Sequence, residues 1–449
     1  MDANHGSQYL VAIVGAGPAG LFAARQLALA GAHVVVFNRD IKPGGLAEYG
    51  IYPDKHKMKE GLRKQFRQLL SLPQIEYYGN VSVAAQGDLS LADLRSFGFQ
   101  AILVTVGAQG TKWLGLPGED LRGVYHAKDL VYHYNRLPPF STQPFEIGRR
   151  VAIIGVGNVM LDIAHWIIRD LKVDEVVAVA RRGPAEVKFD KPEMEYVAAN
   201  LDVPALDAEL ERVRARVEAV GQDIARSRAY ILAALPGAEA AVSTTRFRLE
   251  FLGSPHRIVG DENGRVAGLE VEDTSLALSG TDTKARGLGT FRTIPADTVV
   301  FAIGDRVDES IGLPVRANSF VKNPAPRYPM AGLSYECFDP DAGQLVPDIF
   351  VAGWSREAST GLVGAARKDG TNGAQAVLQY LQTLPTLSTI NLDALHAHLA
   401  ALGKPVVTRP DWQRLEAVEH AEAAKQGLPD FKFATNDDML QAIHLAQPA

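Results

Sequence analysis

Val11-Ala12-Ile13-Val14-Gly15-Ala16-Gly17-Pro18-Ala19-Gly20 runs from four small apolar residues directly into three spaced glycines. A buried parallel strand that turns sharply into a helix needs this order. The first glycine permits the turn, the second lets backbone amides approach a pyrophosphate, and the helix N-terminus adds a favourable dipole. A second stretch repeats the pattern: Val151-Ala152-Ile153-Ile154 leads into Gly155-Val156-Gly157-Asn158. One such motif is a weak signal. Two, each between strand and helix, point to an α/β enzyme with two Rossmann-like units that holds two dinucleotides, a flavin and a nicotinamide.

Working outward from the first motif, residues 18–30 read as a helix and 33–37 as the next strand, completing a βαβ unit. Asn38 ends that strand, where an acidic residue usually holds the adenosine ribose; its amide can still donate to and accept from a ribose hydroxyl. Pro43-Gly44-Gly45-Leu46-Ala47-Glu48-Tyr49-Gly50 suits backbone lying close to a flat ligand. Residues 101–108 read as another buried strand ending in small residues, and 348–353 as a last one before Trp354. A helix is expected from about Gly361.

The second unit has Met160 where a third glycine is usual. Its second strand, 175–180, ends at Arg181-Arg182. That is where the ribose 2′ position of a bound dinucleotide falls, and two guanidiniums can grip a 2′-phosphate through charge-assisted bonds. The expected cofactor is therefore NADP. Residues 205–235 have helical periodicity, 245–252 and 266–272 suggest a small β-layer, and 298–304 reads as a closing strand. The polar segment 114–148 is expected to cross between domains, and the tail from about 386 is expected to be polar, helical and accessory.

Bulk properties narrow the function. The charge balance, 46 − 52 = −6, argues against a general nucleic-acid binder. A single cysteine, Cys337, leaves no CxxC pair for a thioredoxin-reductase activity and no ligand set for an iron–sulfur cluster. Electron chemistry must come from an organic cofactor. The apolar runs are broken by Arg25 and glycines, so no membrane span is expected, and Met1–His5 carries no signal-peptide pattern. The expectation is a cytoplasmic protein. Lys55, His56, Lys57, Lys59, Arg63, Lys64 and Arg67 form a basic helical stretch, readable either as a solvated face or as a dock for an acidic electron carrier.

Arg181-Arg182-Gly183-Pro184 with Phe189 and Glu193 resembles the NADP-binding segment of the adrenodoxin-reductase-like ferredoxin–NADP reductases. Gly155-x-Gly157-Asn158-Val159-x-Leu161-Asp162 is similar to that family's second glycine motif. Gly44-Gly45-Leu46 with Pro53-Asp54, Phe251-Leu252-x-Ser254-Pro255, and Gly353-Trp354 with Thr360-Gly361-Leu362-Val363 match in order and spacing over roughly residues 8–385.

The resemblance implies an FAD domain interrupted by an inserted NADP domain: 1–112 and 335–385 for FAD, 113–334 for NADP, and 386–449 as a helical extension. It implies that the first turn, Gly15, Gly17, Pro18, Ala19 and Gly20, holds FAD together with Asn38, Gly45, Leu46 and Gly107. Gly353, Trp354, Gly361, Leu362 and Val363 would line the flavin and nicotinamide. Gly155, Gly157, Asn158, Val159, Arg181 and Arg182 would hold NADPH, with Glu193 positioning the nicotinamide end. A family pairing of His with Asp suggests His56 and Asp162, although Lys55 stands directly after the Pro-Asp; Tyr196 replaces a second acid. The implied reaction is NADPH oxidation through flavin, with single electrons passed to ferredoxin or flavodoxin. A glutamate-synthase-small-subunit-like flavoprotein is the rival, lacking here the cysteine-rich cluster domain; a non-catalytic nucleotide sensor is another.

Overall fold

A computed structural model describes residues 9–280 and 282–444. The chain forms two compact units. The first comprises residues up to Thr111, Tyr132–Thr142 and Gly304 onward; the second comprises Lys112–Val131 and Gln143–Ile303.

The first unit is built on a seven-stranded sheet. Its order is Glu336–Asp339, Gln344–Val351, Ala101–Val104, Tyr9–Val14, Ala32–Asn38, Ile75–Gly79, Val407–Thr408. The five central strands are parallel, and the two outer ones are antiparallel to their neighbours. Successive side chains on a strand face opposite sides. Val11 and Ile13 therefore enter one core, with Leu21, Ala24 and Leu27 of the helix Pro18–Leu29. Leu10, Ala12 and Val14 enter the other, with Phe37, Leu94, Phe99 and Phe320. Both faces are covered, which is why these strands read as unbroken apolar runs.

The tail is part of this unit, not an accessory. Val407–Thr408 pairs with Ile75–Gly79 and caps the sheet edge. Trp412 and Leu415 of the helix Arg409–Gln426, with Met439 and Ile443 beyond it, join the first core. Fully burying each such side chain is worth about 1.5–3 kcal/mol. The helix looks polar in sequence because its remaining positions are charged.

The second unit carries a five-stranded parallel sheet in the order Val124–His126, Thr298–Phe301, Arg150–Ile154, Glu175–Val179, Arg246–Glu250. The region expected near 245–252 is thus the fifth parallel strand. A three-stranded antiparallel layer, Gly253–Gly260, Val266–Ser279 and Asp282–Pro295, lays Ile258, Leu269, Val271 and Ile294 against Ala152, Ile154, Val177 and Phe301. Residues 205–235 form a pair of helices, Val203–Glu218 and Ile224–Leu232.

The units divide elsewhere than the boundaries drawn from the sequence. The second unit ends at Ile303, and residues Tyr132–Thr142 belong to the first. The segment 114–148 supplies an edge strand, Val124–His126, and the helix Ala127–Tyr134. Both fold units are Rossmann-like. No helix among the described residues is long and apolar enough to cross a membrane.

Candidate functional site

The two glycine turns have the same geometry. Gly15 has φ +107°, and a Cβ there would stand 2.6 Å from the Thr105 carbonyl oxygen. Gly155 has φ +125°, and its Cβ would overlap the Ala302 carbonyl. Each first glycine is therefore wedged under the neighbouring strand. At the second glycines the opposite holds: a Cβ on Gly17 or Gly157 would meet nothing within 4 Å. The space over each is open, and neither helix that follows has a side-chain cap. The first N–H groups of those helices remain available to an anion, and the dipole favours one. A pyrophosphate fits both cradles.

Gly20 completes the first turn by close packing. A Cβ there would overlap the Gly15 carbonyl and lie 2.5 Å from Thr105 Oγ1. Met160, where the second turn lacks its glycine, is fully buried instead.

Around the first turn, Gly44 N–H donates to Ala16 O at 2.7 Å. A Cβ on Gly45, at φ +50°, would stand 3.1 Å from Gly17 Cα. Gly45 and Leu46 are thus brought beside the turn. Gly107, at φ +75°, donates its N–H to the buried Ser355 Oγ at 3.1 Å. Gly353, at φ +65°, would meet Ala19 Cβ at 2.6 Å if it carried a Cβ. Trp354 follows it and donates its indole N–H to Thr360 O at 3.0 Å. Gly361, at φ +72°, and the exposed Leu362 lead into the helix Val363–Leu381, which also lacks a side-chain cap. A second uncapped helix start thus belongs to the same unit as the first turn.

Asn38 is bonded within the first unit. It is buried, accepts from Ala16 N–H at 3.1 Å, and donates to Asp40 O and Lys42 O at 2.9 Å each. Its amide ties strand end to glycine turn, with both N–H donors and one Oδ1 lone pair spent inside the protein. In the second unit, Asn158 Nδ2 donates to Asp190 Oδ2 at 2.9 Å, and Asp190 N–H donates to Asn158 Oδ1 at 2.8 Å. This reciprocal pair, with Lys188 N–H on Val156 O at 2.9 Å, holds residues 188–190 along the turn. The Asn158 side chain is engaged there with Asp190. Val159 is exposed at the same helix start.

Arg181 and Arg182 stand one residue past the strand Glu175–Val179 and Ala180. Arg181 is exposed, and among the described residues nothing pairs with its guanidinium. Arg182 donates to Asp282 Oδ1 at 2.8 Å. Glu193 lies on the short helix Lys191–Glu195, and Tyr196 stacks on His165 at 4.8 Å. His56 opens the helix His56–Leu70 of the first unit, and Asp162 lies on the helix Asn158–Trp166 of the second.

The basic stretch is not one solvated face. Lys59 and Arg63 are buried, while Lys57 and Lys64 are exposed. Helical spacing explains it: Lys59, Arg63 and Phe66 share the inward stripe. Arg63 donates to both oxygens of buried Glu48, at 2.7 and 2.6 Å, and to Asp430 at 2.8 Å. Lys42 bridges Glu48 at 3.1 Å and Glu419 at 2.5 Å, and Lys432 Nζ donates to Glu48 O at 2.7 Å. Burial alone would raise the Glu48 carboxyl, but Lys42, Lys432 and Arg63 hold it well below the usual carboxylate range. Lys59 has a neutral partner, Asn135 Oδ1 at 2.6 Å; burial, aided by Lys432, pulls its pKa down to about 6.

Sequence reasoning missed this cluster and missed Asp369. That carboxylate accepts from Gly353 N–H at 2.6 Å, from Tyr335 OH at 2.9 Å and from Arg356 at 2.8 Å. A signal was present: Gly370 and Gly373 sit mid-helix, where glycine costs about 1 kcal/mol against alanine. A Cβ on Gly370 would overlap Ala19 O, and one on Gly373 would stand 2.8 Å from Ala352 Cβ. Such glycines mark a helix pressed against the site.

Comparison with known proteins agrees with this geometry. Residues 9–220 match the model of the pyridine nucleotide-disulphide oxidoreductase family. NADPH-ferredoxin reductase FprA of Mycobacterium tuberculosis is 28% identical, over 96% of this chain and 98% of that protein. The mitochondrial NADPH:adrenodoxin oxidoreductase of Mus musculus is 27% identical, over 96% and 91%. The solved structure of M. tuberculosis FprA in complex with NADPH aligns at a TM-score of 0.80 with 26% identity, covering 98% of this chain and 99% of that one. Over residues 9–220 the chain is thus similar to the pyridine nucleotide-disulphide oxidoreductase family, and its full-length likeness runs to the NADPH–ferredoxin and adrenodoxin reductases.

Proposed function

We propose that this protein is an FAD-dependent NADPH oxidoreductase of the ferredoxin–NADP reductase type, delivering electrons to a ferredoxin. A flavodoxin as alternative carrier and a cytoplasmic setting belong to the same proposal. The observation that carries it is the pair of equivalent glycine turns, each with a wedged first glycine and an open second one. One fold unit per dinucleotide is what passage of electrons from one cofactor to another requires.

The first unit is assigned to FAD. Gly15, Gly17 and the helix start at Pro18, Ala19 and Gly20 would receive its pyrophosphate. Gly45, Leu46, Gly107, Gly353, Trp354 and the Gly361–Val363 helix start would face the rest of the cofactor. The second unit is assigned to NADPH. Gly155, Gly157 and the backbone at Asn158 and Val159 would receive the pyrophosphate, Arg181 and Arg182 the 2′-phosphate, and Glu193 the nicotinamide end. Bound FAD supplies the ability to take two electrons from NADPH and release them one at a time. The chain's own part is orientation. Asp369 fixes Gly353 through its N–H, and the Trp354–Thr360 bond fixes the indole. Neither role asks a side chain to act as nucleophile. His56 and Asp162 are proposed as the proton-handling groups, each in its own unit.

Anaerobic mixing of the purified protein with NADPH tests the reading. The expected result is a yellow protein that bleaches within minutes and then reduces added ferredoxin. Protein without flavin, or flavin indifferent to NADPH, would reject it.

A further inference from the structure

The 2′ end of the second unit contains a carboxylate that the reaction does not call for. Asp282 opens the strand Asp282–Pro295, at the end of the long hairpin it forms with Val266–Ser279. Its side chain is 75% exposed, so nothing about folding requires it to be buried against a partner. It nonetheless accepts from Arg182 Nη1 at 2.8 Å, while its own Oδ1 also caps the Thr283 N–H at 2.8 Å. Arg182 also donates to Thr283 O at 3.3 Å.

The hairpin is anchored at this spot. Thr274 OH donates to Arg181 O at 2.8 Å. Leu252 N–H donates to Arg182 O at 3.1 Å. Thr283 OH donates to Glu186, which also accepts from Gln222 at 2.6 Å. The backbone of both arginines is thus tied to the hairpin layer, and Asp282 is held within reach of one guanidinium but not the other.

Resting on the assignment of Arg181 and Arg182 to the 2′-phosphate, we propose that Asp282 is an internal competitor for that phosphate. Its carboxylate occupies the Arg182 guanidinium in the free protein and exchanges with the incoming phosphate. Asp282 and Thr283 O take the Nη1 edge of the guanidinium, so a phosphate that grips Arg182 through that edge must displace the carboxylate. Arg181 is free to make the first contact; the Nη1 edge of Arg182 becomes available only when Asp282 leaves. Asp282 also repels the phosphate as a like charge. The device weakens the grip on the 2′-phosphorylated nucleotide in both redox states, and so favours release of the spent one.

Isothermal titration with adenosine 2′,5′-bisphosphate at pH 7.5 tests this on the full-length protein. This probe carries the 2′-phosphate and no nicotinamide, and binding is read without turnover. Asp282→Asn keeps an oxygen for the Thr283 N–H while removing the charge; Asp282→Ala removes both. Each variant should bind the probe about 2- to 5-fold more tightly than wild type, the scale of an exposed ion pair. Binding of ADP, which lacks the 2′-phosphate, should be unchanged. Arg182→Ala should bind the bisphosphate at least about 10-fold more weakly. If Arg182→Ala weakens binding and both Asp282 variants match wild type, the competitor role is wrong. If Arg182→Ala itself binds normally, the assignment of the arginines to the phosphate fails, and the proposal with it.

Discussion

The Asp369 carboxylate accepts the Gly353 N–H at 2.6 Å, joining the helix Val363–Leu381 to the turn that carries Trp354. The same carboxylate takes Arg356 and Tyr335 OH. Removing it leaves a buried N–H and a guanidinium without their acceptor. Hydrogen bonds to charged groups are worth about 1.5–3 kcal/mol, so Asp369→Ala should raise the FAD dissociation constant about 10- to 100-fold. Flavin-to-protein absorbance ratios after gel filtration check this. Asp369→Asn should lose less, since it keeps one acceptor oxygen.

Gly17 and Gly20 should fail differently. Gly17→Val adds a side chain into open space, so the protein should fold with near wild-type thermal stability and purify largely without flavin. Gly20→Val drives side-chain atoms into the Gly15 carbonyl and Thr105, and should lower the melting temperature or prevent soluble expression. Full flavin occupancy in Gly17→Val would remove the first turn from the cofactor site.

Cofactor choice should follow the arginine pair. Each guanidinium contributes about 1.5–3 kcal/mol to a 2′-phosphate, so Arg181→Ala with Arg182→Ala should raise KM for NADPH by about 100-fold or more. Steady-state rates with NADH should change little. Equal use of both cofactors by the wild type would contradict the phosphate role.

Glu416 gives a pH signature. Burial raises its carboxyl to about 7, with Arg67 acting in the opposite direction. The folded state therefore holds this proton over the range from about 4.5 to 7, where the unfolded chain has released it. Stability attributable to this group falls as pH rises through that window and is flat above it. Glu416→Gln should thus raise the melting temperature at pH 8 and not at pH 4, worth about 1–3 kcal/mol at the higher pH. Equal effects at both pH values would show that packing, not charge, is responsible.

Arg63 and Lys64 are neighbours in sequence with opposite fates. Arg63→Ala takes two charged hydrogen bonds from the buried Glu48, which keeps Lys42 and Lys432, and should destabilise by about 1.5–3 kcal/mol, measured by urea unfolding. Lys64→Ala, on the exposed face, should stay within about 0.5 kcal/mol. Any docking role for this helix rests on Lys57 and Lys64. Reversing those two charges should slow ferredoxin reduction mainly through the association rate and leave ferricyanide reduction unchanged.

The strand–turn–helix units were readable because their physics is local. Val11–Val14 is apolar on both faces, and Gly15 must adopt a positive φ whatever surrounds it. The arginines past the second strand were readable because strand length fixes where they fall. Lys59 and Arg63 were misread for the converse reason: their partners lie far off in the chain. Lys59 is claimed by Asn135 and Arg63 by Asp430, 367 positions away. The tail looked accessory because its buried residues, Trp412, Leu415, Glu416 and Glu419, are interleaved with charges, two of which are themselves inside. Periodicity cannot report a buried carboxylate whose partner is Lys42.

The sheet of the first unit draws strands from residues 9–104 and again from 336–408, with Val407–Thr408 closing its edge. On the ribosome this imposes an order. Most of the second unit, Gln143–Ile303, emerges as one continuous run and can complete its own core during synthesis. The strands of residues 9–104 must wait, unpaired along one side, until Gln344–Val351 arrives beside Ala101–Val104. The strands of residues 9–104, made before the second unit, are therefore finished after it, and during that interval they are the strands most in need of protection from aggregation.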